Sequence, residues 1–316
     1  MKKHIIKIAV IGLLFPCLLH AQAVQPKYNL LKDRVLYTVG YSHLDSEWNW
    51  DYPATINEYI KNIMTENFYL FEKYPEYVYN FTGSRRYEMM KEYYPDLYLK
   101  VKDYIHKGRW FISGSSVDEG EVNISSSESL IRQVLYGNLF FQREFGKTSV
   151  DYMLPDCFGF LANTPSIWNH CGLIGFSTQK LTWHSAAGIP FNVGIWNGPD
   201  GKGIIAALNA TDYSGRVVPR LDLDSAWNKR MDQNQAKYGL SFDYRYYGVG
   251  DQGGAPREQD VKNAIGSLHN SDSKLKVILT SSDQMYKDIT PEIRQKLPVY
   301  SGDLLLIEHS AGSMTS

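Results

Sequence analysis

Short β-branched, apolar runs alternate along this chain with longer stretches of helical periodicity, and several of the runs empty into an acid. The first is Val35-Leu36-Tyr37-Thr38-Val39, closed by Gly40 and followed by His43 and Asp45. The same order recurs at Arg109 to Ser113, followed by Asp118, Glu119 and Glu121, and at Val150 to Leu154, followed by Asp156. Strands that alternate with helices imply crossover connections, and crossovers build a largely parallel sheet or barrel. Such folds do their chemistry at the carboxyl ends of the strands. The expected class is therefore α/β, with candidate site residues just beyond the strands.

The helical stretches are legible from their spacing. Ile56, Tyr59, Ile60, Ile63, Phe68 and Phe71 share one helical face, opened near Pro53 and Thr55 and stopped by Pro75. Gly83-Ser84-Arg85-Arg86 reads as the hand-over from the strand at Tyr77 to Phe81 into its next helix. Tyr98 to His106 reads as a further helix. Ser125-x-x-Glu128 reads as a capping box opening another, which ends at Gly146. Further strands are expected at Ile174 to Leu181, Gly194 to Trp196, Ile204 to Ala207 and Lys276 to Thr280. Gly248 to Pro256 reads as a loop whose backbone passes close to a ligand, with Asp251 on it. No repeat, low-complexity tract or linker interrupts the chain, so one catalytic domain over residues 24–316 is expected.

A chain of 316 residues with 43% hydrophobic residues has enough apolar material for a large core. Its formal net charge of -1 gives no electrostatic basis for binding nucleic acid or an anionic membrane surface. The 23 Tyr and 7 Trp suit core packing as well as stacking on sugars. Lys2, Lys3 and Lys7, the apolar run Ile8 to Leu19, and Ala21-Gln22-Ala23 read as a bacterial-type signal peptide over residues 1–23. The run is too short to span a bilayer, and export to the periplasm or beyond follows. Cys17 falls within the apolar run, which leaves Cys157 and Cys171, able by number to form one disulfide. Three Asn-x-Ser/Thr sites, at Asn80, Asn123 and Asn209, are read as chance matches.

His43 and Asp45 are two residues apart, so in extended backbone they project to one side. With Asp156 they make a nitrogen-and-oxygen set suited to a hard or borderline metal. Read singly, the same residues also fit a polar loop in which His43 and Asp45 pair only with each other, and a turn or helix cap at Asp156. His170, His184 and His309 read singly as structural.

Three segments in order, His43-x-Asp45-x-x-Trp48-x-Trp50, Glu128-Ser129-Leu130-Ile131-Arg132-Gln133 and Leu154-Pro155-Asp156-x-Phe158-Gly159, resemble glycoside hydrolase family 38, the α-mannosidases. Gly250-Asp251-x-Gly253-Gly254-x-Pro256 and Gly312-Ser313-Met314-Thr315-Ser316 are similar to family segments too. The resemblance implies a (β/α)7 barrel-like catalytic domain and a zinc-dependent retaining α-mannosidase acting on mannose-containing glycans or mannosides. His43, Asp45 and Asp156 would ligate zinc, and Asp156 would also be the nucleophile. Asp251 would be the general acid/base, and Trp48 a wall of the mannose subsite. Family members continue into a helical bundle and β-sandwich domains, and their fourth zinc ligand, a histidine on a later helix, has no counterpart up to Ser316. His309 is displaced by one residue from the family's histidine and is not assigned. Two other readings stay open: a metal-dependent carbohydrate deacetylase on a related barrel, and an inactive carbohydrate-binding remnant.

Overall fold

The computed structural model describes residues 28–186, 188–268 and 270–307. The signal-peptide segment, His309 and the Gly312–Ser316 segment lie outside the described residues. In chain order the strands are β1 (Arg34–Ser42), β2 (Tyr79–Thr82), β3 (Trp110–Ser113), β4 (Asp151–Met153), β5 (Gly159–Phe160) and β6 (Gly175–Ser177). They continue with β7 (Val193–Asn197), β8 (Gly203–Ala207), β9 (Phe242–Val249), β10 (Leu275–Leu279), β11 (Val299–Ser301) and β12 (Leu304–Leu305).

β1 organises the first sheet. One edge pairs in parallel with β9 along its whole length from Val35 to Ser42; the others of its parallel partners are β10, over its first half, and β2, at Tyr41. β2 pairs in parallel with β3. The second sheet runs β11-β7-β8-β6-β4, parallel except where β7 meets β8. Among the described residues two backbone bonds join the sheets: Ser115 N–H to the Asp151 carbonyl (2.9 Å), and Tyr246 N–H to the Ala210 carbonyl (2.6 Å). The strands β1, β2, β3, β4, β6, β8 and β9 thus follow one another around a barrel-like ring, as expected of this α/β class.

The alternation of side chains along β1 divides the core. Val35, Tyr37, Val39 and Tyr41 point inward, where they meet Met153, Ile205, Ala207, Tyr244 and Tyr246. Leu36 points outward onto the layer made by the helices at Lys61–Lys73, Ser84–Tyr93 and Pro95–His106. Many of the tyrosines are therefore spent on packing. Asn80, one of the three acceptor-like asparagines, is fully buried and donates to the Gly40 and Thr280 carbonyls (3.2 and 3.0 Å), which ties β1, β2 and β10 together.

Several boundaries differ from the sequence reading. The strand expected over Ile174 to Leu181 ends at Ser177, because Lys180–Thr182 turns into a short 3-10 helix. The helix after β3 spans Ser127–Phe145, and its capping hydroxyl is Ser126, which accepts from Ser129 N–H, rather than Ser125. Glu128 is not the reciprocal partner of a capping box; it binds the Arg132 guanidinium instead. β9 went unread, although it is the longest partner of β1. Its charged residues disguise it: Asp243 is fully buried and paired with Arg230 at 2.5 Å, so a polar-looking run is in fact interior. Among the described residues no helix is long and apolar enough to cross a membrane.

Candidate metal and glycoside-binding site

The carboxyl ends of six ring strands deliver the side chains of one cavity of ≈ 690 Å³. His43 and Asp45 follow β1, Glu119 follows β3, Asp156 follows β4, Tyr213 follows β8, and Asp251 follows β9. Lys180 joins them from beyond β6. The pairing of β1 with β9 continues past the ends of both strands. His43 N–H donates to Val249 (3.0 Å), Asp45 N–H to Asp251 (2.8 Å), and Gly253 N–H to His43 (2.9 Å). This extension holds His43, Asp45 and Asp251 in one register. Asp251 is left-handed, with φ 59°, a conformation that Asp tolerates better than most residues. The glycines of its loop were expected to admit a ligand, but the close neighbour of Gly250 is protein: a β-carbon there would lie 2.0 Å from the Tyr213 ring.

His43 Nε2 lies 3.1 Å from Asp45 Oδ1 and 3.7 Å from Asp156 Oδ2. Ligand atoms of these three residues all fall within 4.8 Å of one another. The sequence-derived trio is therefore gathered at one point: the two-residue spacing puts His43 and Asp45 on one side, and the approach of the β4 end brings Asp156 to them. On its other nitrogen, His43 Nδ1 meets Glu119 Oε2 at 3.0 Å. A carboxylate behind the imidazole fixes the ring and its tautomer, the usual support for a ligating histidine. Burial lowers the His43 pKa, yet Glu119 and Asp45 outweigh it and raise it to about 10. The donor set asks for positive charge, and its one nitrogen and two carboxylates fit a divalent ion such as zinc.

Glu119 is the hub of a buried network. It accepts hydrogen bonds from the hydroxyls of Tyr41 and Thr82 (both 2.5 Å) and from Arg86 (3.2 Å). Burial raises its pKa, but His43 and Arg86 hold it down to about 2. Arg86 also pairs with Asp118 at 3.0 Å. The loop carrying both acids is secured by Gln133, whose side-chain oxygen accepts from Val117 and Asp118 N–H (2.9 and 3.0 Å).

Asp156 is raised by burial, with His43 and Lys180 pulling the other way. The Lys180 ammonium binds Asp156 Oδ1 while lying 3.4 Å from the Trp183 ring centre and 4.2 Å from that of Phe158. Tyr213 stands between the two aspartates: its hydroxyl is 3.4 Å from Asp156 Oδ1 and 3.2 Å from Asp251 Oδ1. Trp48 lines the cavity mouth at 61% exposure, edge-on to Trp50 at 5.9 Å. Trp50 is fixed in turn by its Nε1–H bond to Thr55 (3.0 Å). Cys157 and Cys171 are both free thiols. Lys180, Tyr213 and the role of Glu119 were not legible beforehand. Arg86 carried a signal, being part of the noted Gly83–Arg86 segment, but its buried partner lay in another loop.

Parallel strands with an acid-and-imidazole cluster at their carboxyl ends define a barrel-like α/β domain with side chains that could hold a metal ion. Residues 33–303 match the glycosyl hydrolases family 38 N-terminal domain, and the chain belongs to that family. Alpha-mannosidase G of Dictyostelium discoideum is 31% identical over 283 residues, 89% of this chain and 25% of that protein. The chain spans about a quarter of the length of the curated α-mannosidases it matches. Among solved structures, an alpha-mannosidase from Enterococcus faecalis superposes with a TM-score of 0.63 at 22% identity, over 86% of this chain and 31% of that one. A putative polysaccharide deacetylase from Mycobacterium smegmatis does so with a TM-score of 0.53 at 12% identity, over 88% and 96% of the two chains. These two likenesses describe the fold alone.

Proposed function

We propose that this protein supplies the catalytic centre of a zinc-dependent, retaining α-mannosidase that removes terminal α-linked mannose from glycans or mannosides. The observation that carries the reading is the convergence of His43, Asp45 and Asp156 on one point, with Asp251 across a single tyrosine hydroxyl from Asp156. His43, Asp45 and Asp156 would hold zinc, which when bound supplies a Lewis-acidic anchor for sugar hydroxyls.

Retaining hydrolysis needs two carboxyl groups roughly 5–5.5 Å apart, one attacking the anomeric carbon and one protonating the leaving oxygen. The shared hydroxyl of Tyr213 is compatible with this closer spacing. Asp156 is the nucleophile; burial raises its carboxyl above the usual range, and the His43 imidazole and Lys180 ammonium beside it oppose that rise. Asp251 is the acid that releases the aglycone and then the base that takes a proton from water. Tyr213 orients both aspartates, and Trp48 offers an apolar face at the mouth. The amino-terminal basic and apolar segment supports export to the periplasm or beyond.

A 5-fluoro-mannosyl fluoride traps the glycosyl-enzyme on the attacking carboxylate. Peptide mass spectrometry of the treated protein is expected to find the label on Asp156, and none in Asp156→Ala. A label on Asp251, or on neither aspartate, overturns the role assignment.

A further inference from the structure

The cavity holds more negative charge than the reaction uses. Asp45, Glu119, Asp156 and Asp251 belong to the centre described above, but Glu47, Glu121 and Asp212 line the same space without serving it. Among the described residues lining it, Lys180 is the one lysine or arginine. Its side chain is 1% exposed and already committed to Asp156 and to the faces of Phe158 and Trp183. Carboxylates outnumber positive charges even when a divalent ion and the adjoining Arg86 are included. The three outer acids are also anchored. Glu47 Oε1 accepts from Tyr52 N–H (3.1 Å), and Glu121 accepts from Asn123 and Phe158 N–H (2.9 and 3.3 Å). Asp212 Oδ1 accepts from the Ser214 N–H and hydroxyl (both 2.6 Å).

We propose that Glu47, Glu121 and Asp212 determine the charge specificity of this site, admitting mannosides with a neutral or cationic aglycone and rejecting those that carry a phosphate or carboxylate. The proposal rests on the mannosidase reading and extends it from the sugar ring to the group attached to it. Trp48, Ile124 and Trp183 contribute apolar wall to the cavity. Like-signed charges on a concave surface with low-dielectric walls focus their field into the space between them. A cavity of this size is comparable in width to the screening length of about 8 Å at physiological salt, so an anionic aglycone inside it feels several unscreened carboxylates. A neutral aglycone feels none of this, and an ammonium is attracted.

The test is calorimetric titration of the full chain with added zinc, using three non-hydrolysable thio-linked aryl α-mannosides. They differ only in a para substituent: hydroxymethyl, carboxylate or aminomethyl. At low salt the carboxylate should bind at least about tenfold more weakly than the neutral ligand, a difference of about 1.4 kcal/mol, and the ammonium at least as tightly as the neutral one. At about 0.5 M sodium chloride the gap should shrink severalfold. Glu47→Gln combined with Asp212→Asn keeps the acceptor oxygens for Tyr52 and Ser214 but removes two charges, and should narrow the low-salt gap to about threefold or less. If the pair disturbs folding, as a thermal melt would show, Glu47→Gln alone on its exposed residue should still narrow the gap measurably. Equal or tighter binding of the carboxylate at low salt, or a gap indifferent to these substitutions, overturns the proposal. Binding by none of the three ligands overturns the mannoside reading and the proposal with it.

Discussion

Asp151 shows how strongly a single buried group can depart from its sequence context. It opens β4 fully buried; Oδ1 accepts from the Ser149 hydroxyl at 2.8 Å, and Oδ2 has no hydrogen-bond partner. Burial, reinforced by the neighbouring Asp283 carboxylate, raises its pKa to about 6. A carboxyl raised above its unfolded value favours the folded state fully below that value, near pH 4. The contribution is lost as pH rises towards about 6, because the folded protein holds the proton more tightly than the unfolded chain. Asp151→Asn keeps the bond from Ser149 without the ionisation penalty. Urea denaturation should find the variant more stable at pH 7.5 by on the order of 1–3 kcal/mol, with the gain disappearing near pH 4. A gain equal at both pH values would mean that Asp151 does not titrate in this range.

At the scale of elements, the Ser127–Phe145 helix positions the acid loop after β3. Gln133 on that helix binds the loop N–H groups, and Gly137 lets the helix lie directly on Ser116. A β-carbon at residue 137 would meet the Ser116 carbonyl carbon and oxygen at 2.5 Å, and these are backbone atoms with little freedom to yield. Helix propensity alone favours Ala over Gly by about 1 kcal/mol, whereas overpacking costs about 1–3 kcal/mol. The clash should win. Gly137→Ala is expected to lower the urea midpoint and, by displacing Glu119 behind His43, to weaken zinc binding about tenfold or more. A stabilised variant with unchanged zinc affinity would show that the loop is positioned by something else.

For the whole molecule, the candidate ligands are divided between the two sheets. His43 and Asp45 come from the end of β1 in one sheet and Asp156 from the end of β4 in the other, where few backbone bonds join the sheets. An ion held by all three binds the folded arrangement and not the unfolded chain. At about a hundredfold excess over its dissociation constant it should add about 2.7 kcal/mol. Differential scanning calorimetry should therefore record a rise in midpoint on the order of 5 °C with zinc, reversed by a chelator and absent in His43→Ala and Asp156→Ala. A zinc response retained in both variants would place the ion elsewhere.

Much of the alternation of strands and helices, and the placing of His43, Asp45 and Asp156 just beyond strands, could be read from the chain because these rest on local rules. Periodicity reports which face of an element is apolar, and a spacing of two in extended backbone puts two side chains on one side. The resemblance to the family's segments named Asp251 and Trp48, and both do line the cavity. β9 was hidden because its Asp243 and Arg245 are buried polar residues, and a run of residues does not reveal the Arg230 that neutralises Asp243 across 13 positions. The same limit applies to Glu119 behind His43, Lys180 beside Asp156, and Tyr213 between the two aspartates. Each relation joins side chains 24 to 76 positions apart. Sequence by itself determined that β1, β3 and β4 run into acids. Only the tertiary structure decided which of those ends meet, because closing the ring sets distances that no local pattern encodes.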